Sequence, residues 1–206
     1  SEAIEGRSRA NSAPRQARRH VANFAHVRAV VPYRSSGRVL KDWIMGKTML
    51  FHMASPRLIT GRNSQLGAYY VVTTVTSNRN PLFGQSQLAG AAAAEIARCQ
   101  EEGRVASLAW VIMPDHVHWL LELKQGSLSR CLQAFKSRLA RAVNAKVLGR
   151  GGIWQPGFYD HRVHEEEDLL AQARYLVANP VRCGLVSRIE DYPHWWCQWV
   201  RRTEDL

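Results

Sequence analysis

Apolar and polar positions fall into ordered blocks from residue 55 onward, and the blocks carry two different periods. Residues 67–77, GAYYVVTTVTS, are β-branched and aromatic and predict a strand. Residues 85–103, QSQLAGAAAAEIARCQEEG, are Ala-rich and stop at a glycine, which predicts a helix. RVASLAWVIMPDHVHWLLELK, residues 104–124, reads as two strands meeting at a Pro114–Asp115 hairpin corner. Over 127–149 apolar residues recur at 128, 132, 135, 139 and 143, the period of an amphipathic helix. A glycine-broken loop then leads into a short strand around 158–163. EEEDLLAQARYLVANP, residues 165–180, predicts a last helix with acids at its N-terminus, where the helix dipole favours them. Pro180 disfavours helical geometry at Asn179, so that helix is expected to end there.

The order β-α-β-β-α-β-α, without repeats, predicts an α+β, ferredoxin-like architecture: an antiparallel sheet with the helices packed on one face. Residues 1–54 read as a basic extension, 55–190 as the domain, and 191–206 as a Trp-rich tail.

Composition narrows the function classes. With 206 residues and 46% hydrophobic positions the chain can bury a core. No apolar run approaches the roughly 18 residues of a membrane span, and no apolar block follows the basic N-terminus as in a secretory signal. Cys99, Cys131, Cys183 and Cys197 form no CxxC pair, so neither a zinc knuckle nor a disulfide scaffold is expected and a reducing cytoplasm is. The formal charge of +11 predicts a polyanionic partner. Residues 1–60 hold 11 Lys and Arg against 3 Asp and Glu, and the remainder 17 against 14, so most of the excess sits in the extension. Such an arm would add sequence-independent phosphate affinity. Its IEGR at residues 4–7 is also a protease-recognition tetrapeptide, and Met45, Met49 and Met53 could each be a start, so no site is placed there.

Candidate chemistry begins at HVH. Side chains alternate along a strand, so Val117, Trp119, Leu121 and Leu123 share one face, and His116, His118, Leu120 and Glu122 share the other. The two histidines then stand roughly 6.6 Å apart along the strand and can converge on one cation. A polar pair on a solvated face fits the same pattern. On the last helix Leu169, Leu170, Ala173, Leu176 and Val177 form the core stripe, and Tyr175 falls almost opposite it, with Asp168, Gln172 and Asn179. Tyr175 and Asn179 are neighbours one turn apart. By ligand type alone, two imidazoles suit zinc as well as a harder cation.

MPDHVHWLLEL, WQPGFYDHRV and ARYLVANPVRCGLV, in this order and spacing, resemble the REP-associated tyrosine transposases. These are single-tyrosine members of the HUH nuclease superfamily, named for its His-hydrophobe-His motif. The resemblance covers residues 56–186. It implies that His116 and His118 are metal ligands, that Tyr175 is the nucleophile, and that Asn179 is the third, amide-type ligand. Many insertion-sequence relatives carry Gln at that position, so Asn has a shorter reach, with Asp115 or water as the substitute. The resemblance further implies Mg²⁺ or Mn²⁺, a 5′-phosphotyrosine intermediate, and single-stranded DNA from hairpin-forming repetitive elements of bacterial chromosomes. The setting it implies is cytoplasmic and nucleoid-associated.

Arg57, Arg62, Lys136, Arg138, Arg141, Arg182 and Arg188 are candidate phosphate contacts. Asp160, His161 and His164 are candidate acceptors for the tyrosine proton. Trp195, Trp196 and Trp199 are expected to pack the tail onto the fold rather than to stack on bases. Two other classes compete: a zinc hydrolase, which leaves Tyr175 without a task, and a DNA-hairpin-binding protein that has lost cleavage.

Overall fold

The hydrophobic runs on either side of Pro114 become the centre of a sheet. The computed structural model describes residues 64–147, 149–164 and 166–200; the whole of the expected basic extension, Arg57, Arg62 and the last six residues lie outside them. The strands are β1 (Tyr69–Val75), β2 (Val105–Met113), β3 (His116–Leu123), β4 (Tyr159–Val163) and β5 (Trp195–Cys197). They lie in the order β4-β1-β3-β2-β5, and every pairing is antiparallel. The helices are α1 (Ser86–Glu101), α2 (Leu128–Val147), α3 (Glu166–Val177) and the one-turn α4 (Asn179–Arg182). Among the described residues no helix is long and apolar enough to cross a membrane.

The α+β class and the antiparallel sheet follow the expectation; the placement of the helices departs from it. α1 and α2 pack their apolar stripes on Val72, Trp110, Ile112, Val117 and Trp119. The third long helix, α3, packs on the opposite face, where Leu169, Ala173, Leu176 and Val177 meet Ala109, Val111, Met113 and Leu120. The reason lies in β2, whose LAWVIM run lacks polar alternation. All of its residues are buried except Ala106, as expected for a strand covered on both faces. A sheet with helices on one face only would leave Val111 and Met113 in water.

The longer helix ends near the expected place, but not because Asn179 leaves helical geometry: Asn179 is itself helical and opens α4. α3 stops at Val177, and Pro180 stands in the first turn of α4, where its missing N–H breaks no helical hydrogen bond. The tail packs as expected. Trp196 joins the α1–α2 core, while Trp195 and Trp199 join the α3 core. The Trp195 indole N–H donates to the Ile189 carbonyl at 3.1 Å. Residues 195–197 also add the edge strand β5 beside β2, an element too short for its pattern to announce.

His194 enters this packing with a consequence for acid stability. It is 6% exposed, and burial holds its imidazole down at about 4 against an ordinary 6.5. The folded chain therefore refuses a proton that the unfolded chain accepts below pH 6.5, so stability falls as pH drops from 6.5 toward 4. The loss reaches about 3 kcal/mol at the low end. Thermal unfolding of wild type and His194→Gln at pH 7 and pH 4.5 checks this: the substitution is expected to remove most of that component of the acid sensitivity. Equal pH dependence in both proteins refutes it.

Candidate functional site

The hairpin corner sets the first part of the site. β2 turns at Pro114–Asp115 and returns as β3, which places Met113 opposite His116 and Val111 opposite His118. Directly opposed residues share a face, so both histidines lie on the side that α3 covers. They are therefore not on an open solvated face: His116 is 8% exposed and His118 is half-buried.

Both imidazoles are held by their Nδ1 atoms. His116 Nδ1 lies 2.6 Å from Asp115 Oδ1, and His118 Nδ1 lies 2.8 Å from Thr73 Oγ1 on the neighbouring strand. The two Nε2 atoms then face each other at 3.0 Å. A carboxylate only accepts, so His116 carries its proton on Nδ1 and offers a lone pair at Nε2. His118 Nε2–H fills that contact, and the Thr73 hydroxyl donates to His118 Nδ1. Burial first, then the neighbouring His116 and Arg79, hold His118 well below the ordinary imidazole range. It is a neutral ring at physiological pH.

A cation fits this donor set. Two imidazoles with convergent Nε2 atoms and anchored Nδ1 atoms are the arrangement metal-binding histidines adopt. Bridging would require His118 to exchange tautomers, after which its Nδ1–H donates to Thr73 Oγ1. Among the described residues no group of three or more His, Cys, Asp or Glu could hold an ion, so a third donor would come from an amide, a water or the substrate. Asp115 is not that donor, since one oxygen serves His116 and the other meets the Arg79 guanidinium at 3.2 Å.

The second part comes from α3 and α4. Tyr175 is half-buried on α3, and the Arg182 guanidinium carbon stands 3.9 Å from its ring centroid. Asn179 turns its amide N–H groups back onto the carbonyls of Leu176, at 2.8 Å, and Tyr175, at 3.3 Å. It thereby caps the end of α3. The structure thus brings His116 and His118 into contact, gathers Tyr175, Asn179 and Arg182 at the C-terminal end of α3, and sets both groups on one face of the sheet.

The other candidates sort differently. Lys136 donates to the carbonyls of Gln155 and Gly157, and burial lowers its ammonium to about 8. Arg138 is 12% exposed and pairs with Glu95 at 2.7 Å and Glu102 at 3.2 Å. Both side chains are tied into the fold and, with exposed Arg141, belong to α2, across the sheet from the histidines. Arg188 is exposed and lies 3.3 Å from Glu190. On β4, His161 is opposite Val71 and Asp160 opposite Val72. Val71 packs in the α3 core and Val72 in the other, so His161 shares the histidine face and Asp160 does not. His164 follows β4 and is exposed. The residues the sequence did not single out are Thr73 and Arg79. Thr73 could not be found without the β1–β3 register, and Arg79 lies outside every motif.

Residues 64–179 match a family profile described as transposase, IS200-like; the span takes in His116, His118, Tyr175 and Asn179. A REP-associated tyrosine transposase of Escherichia coli K12 is 31% identical over 87 residues, 41% of this chain and 50% of that protein. The matched stretch thus spans half the length of that relative. A Haemophilus influenzae protein assigned to the same group is 25% identical over 144 residues, 65% of this chain and 81% of that one. Among solved structures, a REP-associated tyrosine transposase bound to a REP hairpin superposes with a TM-score of 0.57 at 25% identity, covering 66% of this chain and 80% of the other.

Proposed function

The chain belongs to the IS200-like transposase family, and from that premise we propose that it cleaves and rejoins single-stranded DNA at hairpin-forming repetitive elements through a 5′-phosphotyrosine intermediate. The observation that carries this reading is the pair of Nε2 atoms meeting at 3.0 Å with both Nδ1 atoms held. A buried and a half-buried ring in that pose serve no packing need that apolar residues would not serve better. The hairpin as partner rests on the structural relative, which is bound to one.

His116 and His118, with the amide oxygen of Asn179, would hold a Mg²⁺ or Mn²⁺. Such an ion would withdraw charge from a non-bridging oxygen of the scissile phosphate and fix its orientation. Tyr175 supplies the nucleophile. Its oxygen attacks the phosphorus in line, the bond from phosphorus to the 3′-oxygen breaks, and that oxygen leaves with a proton. The tyrosine oxygen stays joined to the 5′-phosphate, so one diester replaces another and resealing needs no ATP. The phenol must lose its proton to a base, and His161 suits the role better than Asp160 because it shares the face of the histidine pair. Arg182, stacked on the ring, holds it in place and brings positive charge beside the attacked phosphate. Arg141 and the other cations of α2 would touch DNA only where it passes round to the opposite face.

A zinc hydrolase remains a poorer reading, since it gives no task to a tyrosine held under a guanidinium. The test is a labelled DNA hairpin with a single-stranded foot, incubated with the protein and Mn²⁺ and run under denaturing conditions. A protein–DNA adduct that survives denaturant is the expected product, and its absence overturns the proposal.

A further inference from the structure

We infer that Arg79 and Asp115 are positioning residues that hold His116 for the ion, an inference that rests on reading His116 as a metal ligand. The Asp115 side chain is 1% exposed, and a buried carboxylate has to be paired. Its two oxygens divide the work: Oδ1 accepts from His116 Nδ1–H at 2.6 Å, and Oδ2 faces the Arg79 guanidinium at 3.2 Å. Neither oxygen is spare for the place where the Nε2 atoms meet. The aspartate of the MPDHVH motif thus acts through its neighbour.

The backbone around this pair is held as well. The Asp115 carbonyl accepts both the N–H and the hydroxyl of Thr76, each at 2.9 Å. That hydroxyl also lies 2.8 Å from the carbonyl of Asn80, so fully buried Thr76 clasps the hairpin corner and the turn that carries Arg79. Within that turn Asn78 and Arg79 have φ of 53° and 50°. Two successive non-glycine residues in the left-handed region persist only where their surroundings impose it. Here they swing Arg79 back over the corner and onto Asp115.

The arrangement has two chemical effects. A carboxylate on Nδ1 locks His116 in the tautomer whose Nε2 lone pair faces outward, and makes that nitrogen a better donor. Arg79 meanwhile balances the carboxylate charge, so the pair adds no net negative charge. An ion held by two imidazoles and an amide keeps its full double charge for a phosphate. Without Arg79 the carboxylate would be free to turn away from the imidazole, and His116 would lose the partner that fixes its ring.

The experiment titrates Mn²⁺ into the full chain without DNA and follows the loss of the free-ion EPR signal, with circular dichroism to confirm folding. Wild type is expected to bind. Asp115→Ala is expected to weaken binding about 10- to 100-fold, with Asp115→Asn between the two. Arg79→Gln, altered at a half-exposed side chain, is expected to weaken it several-fold in a chain that melts like wild type, and Arg79→Lys to recover part of the loss. If Asp115→Ala and Arg79→Gln bind Mn²⁺ as tightly as wild type while His116→Ala does not, the positioning role is overturned and the ligand reading stands. If His116→Ala binds as well as wild type, the ligand reading itself falls and the inference with it.

Discussion

Replacing Tyr175 with phenylalanine is expected to abolish the covalent protein–DNA adduct while leaving the fold, hairpin binding and Mn²⁺ binding close to wild type. The change removes one oxygen. The ring that remains can still sit under the Arg182 guanidinium, 3.9 Å from its centroid, because that attraction uses the face of the ring and not the hydroxyl. The α3 core does not depend on the hydroxyl either, since Leu169, Ala173, Leu176 and Val177 make it. What is lost is the atom that would form the bond to phosphorus. Loss of a nucleophile typically costs on the order of 10³-fold or more in rate. A denaturing gel with the labelled hairpin reads the adduct, and a filter-binding titration at fixed salt reads affinity. An adduct of wild-type intensity with phenylalanine would mean that another residue attacks.

Removing His118 should act at the other half of the site. His118→Ala deletes one of the two convergent Nε2 donors and leaves the Thr73 hydroxyl without its 2.8 Å partner. Mn²⁺ affinity measured by calorimetry is expected to fall at least about 100-fold, more than loss of a supporting group would cause. Adduct formation should fall with it. Hairpin binding, which on the proposed reading would rest on cations elsewhere on the surface, should persist at low salt. His118→Gln places an amide oxygen near the same spot and should retain some Mn²⁺ binding without restoring wild-type activity. Unchanged Mn²⁺ affinity in His118→Ala would remove the histidine pair from the metal site.

The two substitutions separate the chemistry from its electrostatic support. One would stop the reaction with the ion bound, and the other would stop it by preventing the ion from binding. A hydrolase using zinc-bound water would respond to the second and ignore the first. A protein that only binds hairpins would respond to neither in its affinity and would give no adduct in the wild type.

Much of the site was legible because strand and helix periods are local properties. HVH puts two histidines on one face whatever the rest of the chain does, since strand side chains alternate. The stripe Leu169, Leu170, Ala173, Leu176, Val177 left Tyr175 off the core for the same reason, and all of it is buried except Leu170, which is half-buried. The amphipathic period over 127–149 also held: Leu128, Leu132, Phe135, Leu139 and Val143 are all buried in α2. Cationic side chains were a different matter. Lys136 and Arg138 look like phosphate contacts in one dimension, but their long stems reach carbonyls and carboxylates brought near by folding.

Taken by itself, the chain's pattern determined the order of elements from β1 to α3, the shared face of His116 and His118, and the outward position of Tyr175. Each of these depends on a repeat of a few residues. Only the tertiary structure decided that α3 lies on the histidine face, because the apolar stripe of a helix does not say which of two apolar sheet faces it will cover. Only the tertiary structure, likewise, paired His118 with Thr73, 45 positions away, and Asp115 with Arg79, 36 positions away. Those contacts depend on strand register and on a strained turn, and neither leaves a periodic trace in the sequence.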